Sequence, residues 1–319
     1  MTRVKSPKRR GFTLIELLVV LVIIALLAAL AISVVGAVMT NARTAATSAT
    51  LSKIDARIKD RIQTLAGLDY EAYELLATND SRVSLNSKEE ARVVAKKLAF
   101  EEAFPQTWAE FDKFYPQLAT EITNKYGTNN FTATTESAEV LYYILTSGPI
   151  PGKGRRKVIS GIGQTQTDEF SGADTADTDG DGLPEFVDGW GNPLRFYRWP
   201  TRLIRPTGVA GLGNPLPAAD LNNAKVLMPA LTATNAVQDA DDPYQVLANA
   251  SDPDQFEKAF HTPSTYHVPL VISTGPDEIL GLSEPAPIDN SSLSHLGAIT
   301  NLEAVFDNIS NLNNSAGGN

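Results

Sequence analysis

The stretch that decides the reading is Lys8-Arg9-Arg10-Gly11-Phe12-Thr13-Leu14-Ile15-Glu16, followed by an apolar run to about Val38. Arg3, Lys5, Lys8, Arg9 and Arg10 precede Gly11, with no acidic residue among them, and no polar side chain occurs from Leu17 to Ile32. Phe12 to Met39 would span about 42 Å as a helix at about 1.5 Å per residue. A bilayer core of about 30 Å needs roughly 20 residues, so this run crosses a membrane with several to spare. The basic flank stays on the cytoplasmic side, which places everything after about residue 40 on the other. A secretory signal is cleaved at small residues after its apolar core. Here the only strong processing signal, Gly11, comes before it. Glu16 sits just inside the apolar run, where a lone carboxylate is costly and usually functional. The simpler alternative is a signal anchor with a Glu near the interface.

Gly11 to Glu16 with this apolar tail resembles the class III leader of type IV pilins and type II secretion pseudopilins. The resemblance implies that a prepilin peptidase cleaves between Gly11 and Phe12 and methylates Phe12. It also implies that Glu16, fifth in the mature chain, pairs with the terminal amine of a neighbouring subunit. Residues 1–11 are then the leader peptide, 12–39 the transmembrane and filament-core helix, 40–67 its amphipathic continuation and 68–319 the periplasmic globular head.

Composition fits an exported body. The absence of cysteine excludes disulfides, thiol catalysis and cysteine-ligated metals. Net charge is −10, and loss of residues 1–11 takes it to −15. So acidic a body is unsuited to sequence-independent nucleic-acid binding, which needs a basic surface. It suits calcium binding or plain solubility.

Beyond the membrane run, Ala45, Ala46, Ala49, Ile54, Ile58, Ile62 and Leu65 recur mainly at three and four residues. Lys53, Asp55, Arg57, Lys59, Asp60 and Arg61 fill the other face, and Gly67 supplies a stop. Phe12 to Ala66 is expected to form one helix of about 80 Å, with Gly36 the place for a kink. Residues 68–147 read as helical, with capping boxes at Ser87–Glu90 and Thr107–Glu110 and a helix from Glu136 to Thr146. Residues 148–176 read as loop. Leu194–Trp199 and Val268–Ser273 read as strands, Pro269 placing the second at an edge or at its own start. Residues 204–262 read as a long insertion without periodicity, and the Asn/Gly-rich tail after Ser310 as frayed.

Asp177-Thr-Asp179-Gly-Asp181-Gly182-Leu183-Pro-Glu185-Phe-Val-Asp188 matches the twelve-residue EF-hand spacing. Acidic residues stand at positions 1, 3, 5, 9 and 12 and glycine at 6, with the Leu183 carbonyl as the backbone oxygen. Position 12 is Asp rather than Glu, and Pro184 is unusual at position 8. The 177–188 segment is read as a calcium loop, with an acidic solvated turn as the alternative. After it come Trp190-Gly-Asn-Pro193, Ser273-Thr-Gly-Pro-Asp277 and Asp307-Asn-Ile-Ser310. Together these resemble the sheet region, here 190–310, of the major pseudopilin of type II secretion systems. That family binds calcium near the sheet, and the resemblance makes Asp277 a further ligand. As turn chemistry alone, Gly191-Asn192-Pro193 and Gly275-Pro276-Asp277 also make good turns.

Other constellations are weaker. His261, His267 and His295 have no metal-ligand spacing, and Gly152–Lys157 has basic residues but no phosphate-loop signature. Trp108, Phe111, Phe114 and Tyr115 read as core, and no catalytic arrangement can be argued from spacing. The expected fold class is α+β and pilin-like: a long N-terminal helix, a small antiparallel sheet, extra helices and loop insertions. The expected function is a non-enzymatic subunit of a homopolymer, most simply the pseudopilus of a type II secretion system. Implied partners are other copies of the chain, the prepilin peptidase, the inner-membrane assembly platform with its ATPase, and minor pseudopilins. Alternatives are a type IV pilus subunit and, from another class, a membrane-anchored calcium-dependent binding protein or hydrolase.

Overall fold

The computed structural model describes residues 12–127, 131–146, 148, 169–170, 172–204, 239, 241–260, 268–285 and 296–313. His261, His267, His295, Gly152–Lys157 and Gly11 lie outside them. The chain is α+β: α1 (Leu14–Ala66), α2 (Glu71–Thr78), α3 (Lys88–Ala103), α4 (Trp108–Phe114), α5 (Pro116–Tyr126), α6 (Glu136–Thr146), β1 (Thr175–Ala176), β2 (Glu185–Phe186), β3 (Arg195–Tyr197), α7 (Thr201–Ile204), α8 (Pro253–Phe260), β4 (Leu270–Ser273), a 3-10 turn (Ala304–Phe306) and β5 (Ile309–Ser310). Two compact units are distinguished, one ending at Arg43 and the other beginning at Thr44.

The first unit is helical through Gly36, where Thr40 Oγ1 donates to the Gly36 carbonyl at 3.2 Å. Its apolar side chains are exposed, from Phe12 and Leu14 through Leu30 to Val38 and Met39. By length and composition α1 is able to cross a membrane.

In the second unit the buried face of α1 is Thr47, Thr50, Leu51, Ile54, Ile58, Arg61 and Leu65. The alanine stripe read from sequence is shifted: Ala45, Ala46 and Ala49 are exposed. Polar residues take the inward positions because each finds a partner. Thr47 Oγ1 accepts from the Gly189 amide at 2.8 Å, and Thr50 Oγ1 donates to Asp174 Oδ1 at 2.6 Å. Arg61, expected on the solvated face, is 4% exposed. Its Nε donates to the Ala103 carbonyl at 2.7 Å, and its Nη1 to the Ile144 and Gly148 carbonyls at 3.4 Å each. One guanidinium thus caps the carbonyl ends of α3 and α6, where cations are favoured.

Both N-caps form, and each glutamate reaches back to the amide one residue before the cap rather than to the cap's own. Ser87 Oγ accepts from the Glu90 amide at 3.1 Å, and Thr107 Oγ1 from the Glu110 amide at 3.3 Å. Glu110 does more than cap. Its Oε2 accepts from the Gln106 amide at 2.8 Å, and the same carboxylate receives both Nη atoms of buried Arg198 at 2.6 and 3.0 Å. The α3–α4 corner is thereby tied to the residue after β3. The aromatic core lies there: Phe100 stacks on Trp199 with ring centroids 5.7 Å apart, and Phe111, Phe114 and Tyr115 are buried as expected. Trp108 is half-buried and stacks on Phe111 at 5.0 Å.

Among the described residues two antiparallel sheets form, β1–β2 and β3–β4–β5. Arg195 pairs with Ile272 and Tyr197 with Leu270, while Ser273 pairs with Ile309. Pro269 immediately precedes β4, the central strand, so its missing N–H interrupts no ladder bond. The described part of the 204–262 insertion is packed. Asp239 and Lys97 form an ion pair in which both side chains are fully buried, Leu247, Phe256 and Phe260 are core residues, and Arg202 pairs with Glu257 at 2.5 Å. A buried ammonium demands a counterion. Its carboxylate comes from a position far along the chain, which no local pattern signals. The chain stays ordered past Ser310: Asn311 donates its amide to the Val271 carbonyl at 3.0 Å and its Nδ2 to Asp55 Oδ1 on α1 at 3.0 Å.

Candidate functional site

Two places carry chemistry. The first is the start of α1. Thr13 is its N-cap: the Glu16 amide donates to Thr13 Oγ1 at 3.3 Å, while Glu16 Oε2 receives the Thr13 amide and hydroxyl at 2.8 Å each. Thr13-Leu-Ile-Glu16 is therefore a capping box, a role for Glu16 not read from the sequence although the Thr-x-x-Glu pattern was visible. Phe12 is exposed beside it.

The second is the β1–β2 connection and what packs on it. Antiparallel pairing of Thr175 with Phe186 and Ala176 with Glu185 makes 177–184 a hairpin loop. Asp177 accepts from the Gly180 amide at 2.8 Å and the Gly182 amide at 3.1 Å. Asp179 Oδ1 accepts from the Asp181 amide at 3.3 Å, and Asp181 Oδ1 from the Leu183 amide at 2.8 Å. Strand pairing turns Glu185 inward, fully buried. Its Oε1 takes the Thr178 amide at 2.6 Å as well as the Thr178 hydroxyl, and its Oε2 has no hydrogen-bond partner among the described residues. The Leu183 side chain is buried beneath the loop.

The loop's acids do not gather in the order of the linear motif. Asp179 and Asp181 come together with Glu139 of α6, one oxygen from each lying within 4.8 Å of the others. Glu139 is fully buried, and among the described residues neither carboxylate oxygen has a hydrogen-bond partner. The nearby Thr135 hydroxyl donates to Asp179 Oδ2 at 2.9 Å. Burial above all, then the Asp181, Asp179 and Glu185 charges, push the Glu139 carboxyl up to about 9, against a smaller opposing effect of Thr135. Burial likewise raises Glu185, and Asp179 adds to it. Sequence reading missed Glu139. Its signal was a carboxylate set among Ala138, Val140, Leu141, Ile144 and Leu145, all buried.

Asp188 and Asp277 are placed elsewhere. Asp188 Oδ1 accepts from the Trp190 and Asn192 amides at 2.9 and 3.0 Å, and its Oδ2 from the Ser273 hydroxyl at 2.6 Å. It fastens the Trp190–Pro193 turn to the end of β4. Burial raises its carboxyl despite these donors. The Asp277 amide donates to Asp307 Oδ2 at 3.2 Å, and Asp277 Oδ1 accepts from the Ile279 amide at 2.8 Å. Gly275, at φ +71°, lies so close to the Asp307 carbonyl that a Cβ would overlap it. That close approach joins the Gly-Pro-Asp turn to the C-terminal segment and requires glycine.

Residues 6–39 match the family model described as the prokaryotic N-terminal methylation motif. No curated protein and no solved structure matches the chain. The motif, the apolar start of α1 and the α+β body with small antiparallel sheets are consistent with the pilin and pseudopilin class. They support a pilin-like subunit that is anchored in a membrane, processed by a prepilin peptidase and able to self-assemble.

Proposed function

We propose that this protein is the structural subunit of a type II secretion pseudopilus, drawn from the inner membrane into a periplasmic filament that drives protein export. The observation that carries the reading is the methylation motif at 6–39, joined to a helix whose apolar side chains stay exposed in the single subunit. Apolar surface of that extent is covered by lipid before assembly and by other copies afterwards. Glu16 then exchanges its Thr13 donors for the methylated amine of Phe12 on a neighbouring copy, a charge pair suited to a low-dielectric core. The assembly platform, its ATPase and minor pseudopilins are the partners this requires.

The pseudopilus is favoured over a surface pilus by the sheet region. The Trp190–Pro193 turn, the Ser273–Asp277 strand end and Asp307–Ser310 meet around β4, and a chain without cysteine carries no terminal disulfide. Deletion of the gene, with electron microscopy of cells and an assay of secreted proteins, tests the reading. A secretion defect without loss of surface fibres supports it. Lost fibres with normal secretion give the pilus, and catalytic activity in the isolated body gives an anchored enzyme.

A further inference from the structure

We infer that the exposed apolar ridge carrying Ile279, Leu302 and Phe306 is a contact between subunits, and that it receives the basic run Lys153–Lys157 of a second copy. The inference deepens the filament reading and rests on it. Two stretches of chain build the ridge. The Gly281 carbonyl accepts the Thr300 and Asn301 amides at 2.9 and 3.1 Å, and the Asp277 amide donates to Asp307 Oδ2 at 3.2 Å. Residues 277–281 therefore run along 300–307, which brings the segments that carry Ile279, Leu302 and Phe306 side by side. Leu280, Leu282, Ala304 and Val305 of the same segments are buried, while Ile279, Leu302 and Phe306 remain 48%, 42% and 50% exposed. A single exposed apolar side chain is ordinary, but several on neighbouring segments mark a surface that association covers.

The rim decides the occupant. Asp277, Glu278, Glu303 and Asp307 belong to the same two segments, and no Lys or Arg occurs from Thr274 to Asn313. Two such ridges cannot face each other, because like charges set together repel. A cover must bring cations and apolar side chains at once. Beyond the leader, the chain's densest cationic run is the one the proposed function leaves unused: Lys153, Arg155, Arg156 and Lys157. Ile150 and Val158-Ile159 flank it, and no acidic residue occurs from Val140 to Thr167. The chain on either side of this run is fastened to α1. The Gly148 carbonyl accepts from Arg61 Nη1 at 3.4 Å, and Glu169 pairs with Arg57. From Gly148, Lys153 is within about 17 Å even of a fully extended chain. The run therefore departs from beside α1, the helix along which copies stack in the proposed filament. Joining a ridge on one copy to a different surface on the next makes the contact heterologous, which propagates as an open helix instead of closing as a dimer.

The test uses the full-length protein assembled in cells. Glu278→Lys combined with Glu303→Lys, both at exposed positions, should lower filament yield about fivefold or more, with membrane insertion and N-terminal processing unchanged. Glu121→Lys, at an exposed position on α5, should leave the yield as it is. Adding Arg155→Glu and Arg156→Glu to the defective chain should restore assembly, a result that a merely misfolded ridge could not give. Because the chain has no cysteine, Glu303→Cys in one tagged copy and Arg156→Cys in a copy with a different tag should yield a disulfide-linked mixed dimer on oxidation. A wild type that forms no polymer would remove the filament reading and this contact with it. If wild type polymerises, the contact alone is overturned by full yield from the charge-reversed chain, by failure of the reciprocal reversal to rescue it, or by absence of the mixed dimer. When one chain carries both cysteine substitutions, disulfides formed only within that chain would place the run on its own ridge and likewise overturn the contact between copies.

Discussion

Replacing Asp188 with alanine should loosen the sheet region by an amount that can be worked from its contacts. The carboxylate is 4% exposed and accepts three hydrogen bonds, from the Trp190 and Asn192 amides and the Ser273 hydroxyl. Trp190 and Asn192 are half-buried, so water recovers part of those two bonds after truncation. A loss of roughly 1 kcal/mol each is reasonable there. The Ser273 hydroxyl is fully buried and would lose the acceptor of its proton, keeping only the Gly275 amide that donates to it at 3.0 Å, which adds about 1–2 kcal/mol. Asp188→Ala should therefore cost about 3 kcal/mol. Asp188→Asn keeps one oxygen for the two amides and loses only the acceptor of the Ser273 proton, so its cost should stay at about 1–2 kcal/mol. The assay is denaturant unfolding of the full chain in detergent, followed by tryptophan fluorescence. A loss under about 1 kcal/mol for the alanine variant, or equal losses for the two, would refute this account of the turn.

Three other outcomes are expected. Gly11→Val should leave uncleaved precursor in the membrane, and N-terminal sequencing of wild type should begin at methylated Phe12; a different start removes the prepilin reading. Glu16→Gln keeps an oxygen for the Thr13 cap but abolishes the charge, so the subunit should insert normally yet give few filaments by electron microscopy. Undiminished filament yield would mean that Glu16 serves only as a cap. Arg61→Met should destabilise the body by about 2–4 kcal/mol in a thermal melt, since the carbonyl ends of two helices lose a buried donor. Arg61→Lys should restore little, because an ammonium cannot reproduce the fork.

The sequence by itself determined what rests on short-range chemistry. Basic residues, a glycine and an apolar run define the N-terminal segment without any tertiary contact, because membrane partition depends on length and hydropathy alone. The N-caps at Ser87 and Thr107, the helix at Glu136–Thr146 and the strands around Phe196 and Val271 were legible for the same reason: each is set by residues within a few positions. Only the tertiary structure decided which polar groups go inside. Arg61 and Lys97 look like surface residues in any local window, and Glu139 stands out only as a carboxylate among apolar neighbours. Their burial depends on helix ends, a carboxylate and acidic neighbours brought in from 42, 142 and 40 or more residues away. The acidic loop shows the division most clearly. Its spacing revealed a concentration of carboxylates, but strand pairing turned Glu185 inward and gave Asp188 to a turn, leaving a helix to supply the third acid. A side chain's direction follows from the pairing of its backbone, and that pairing is a property of the whole fold.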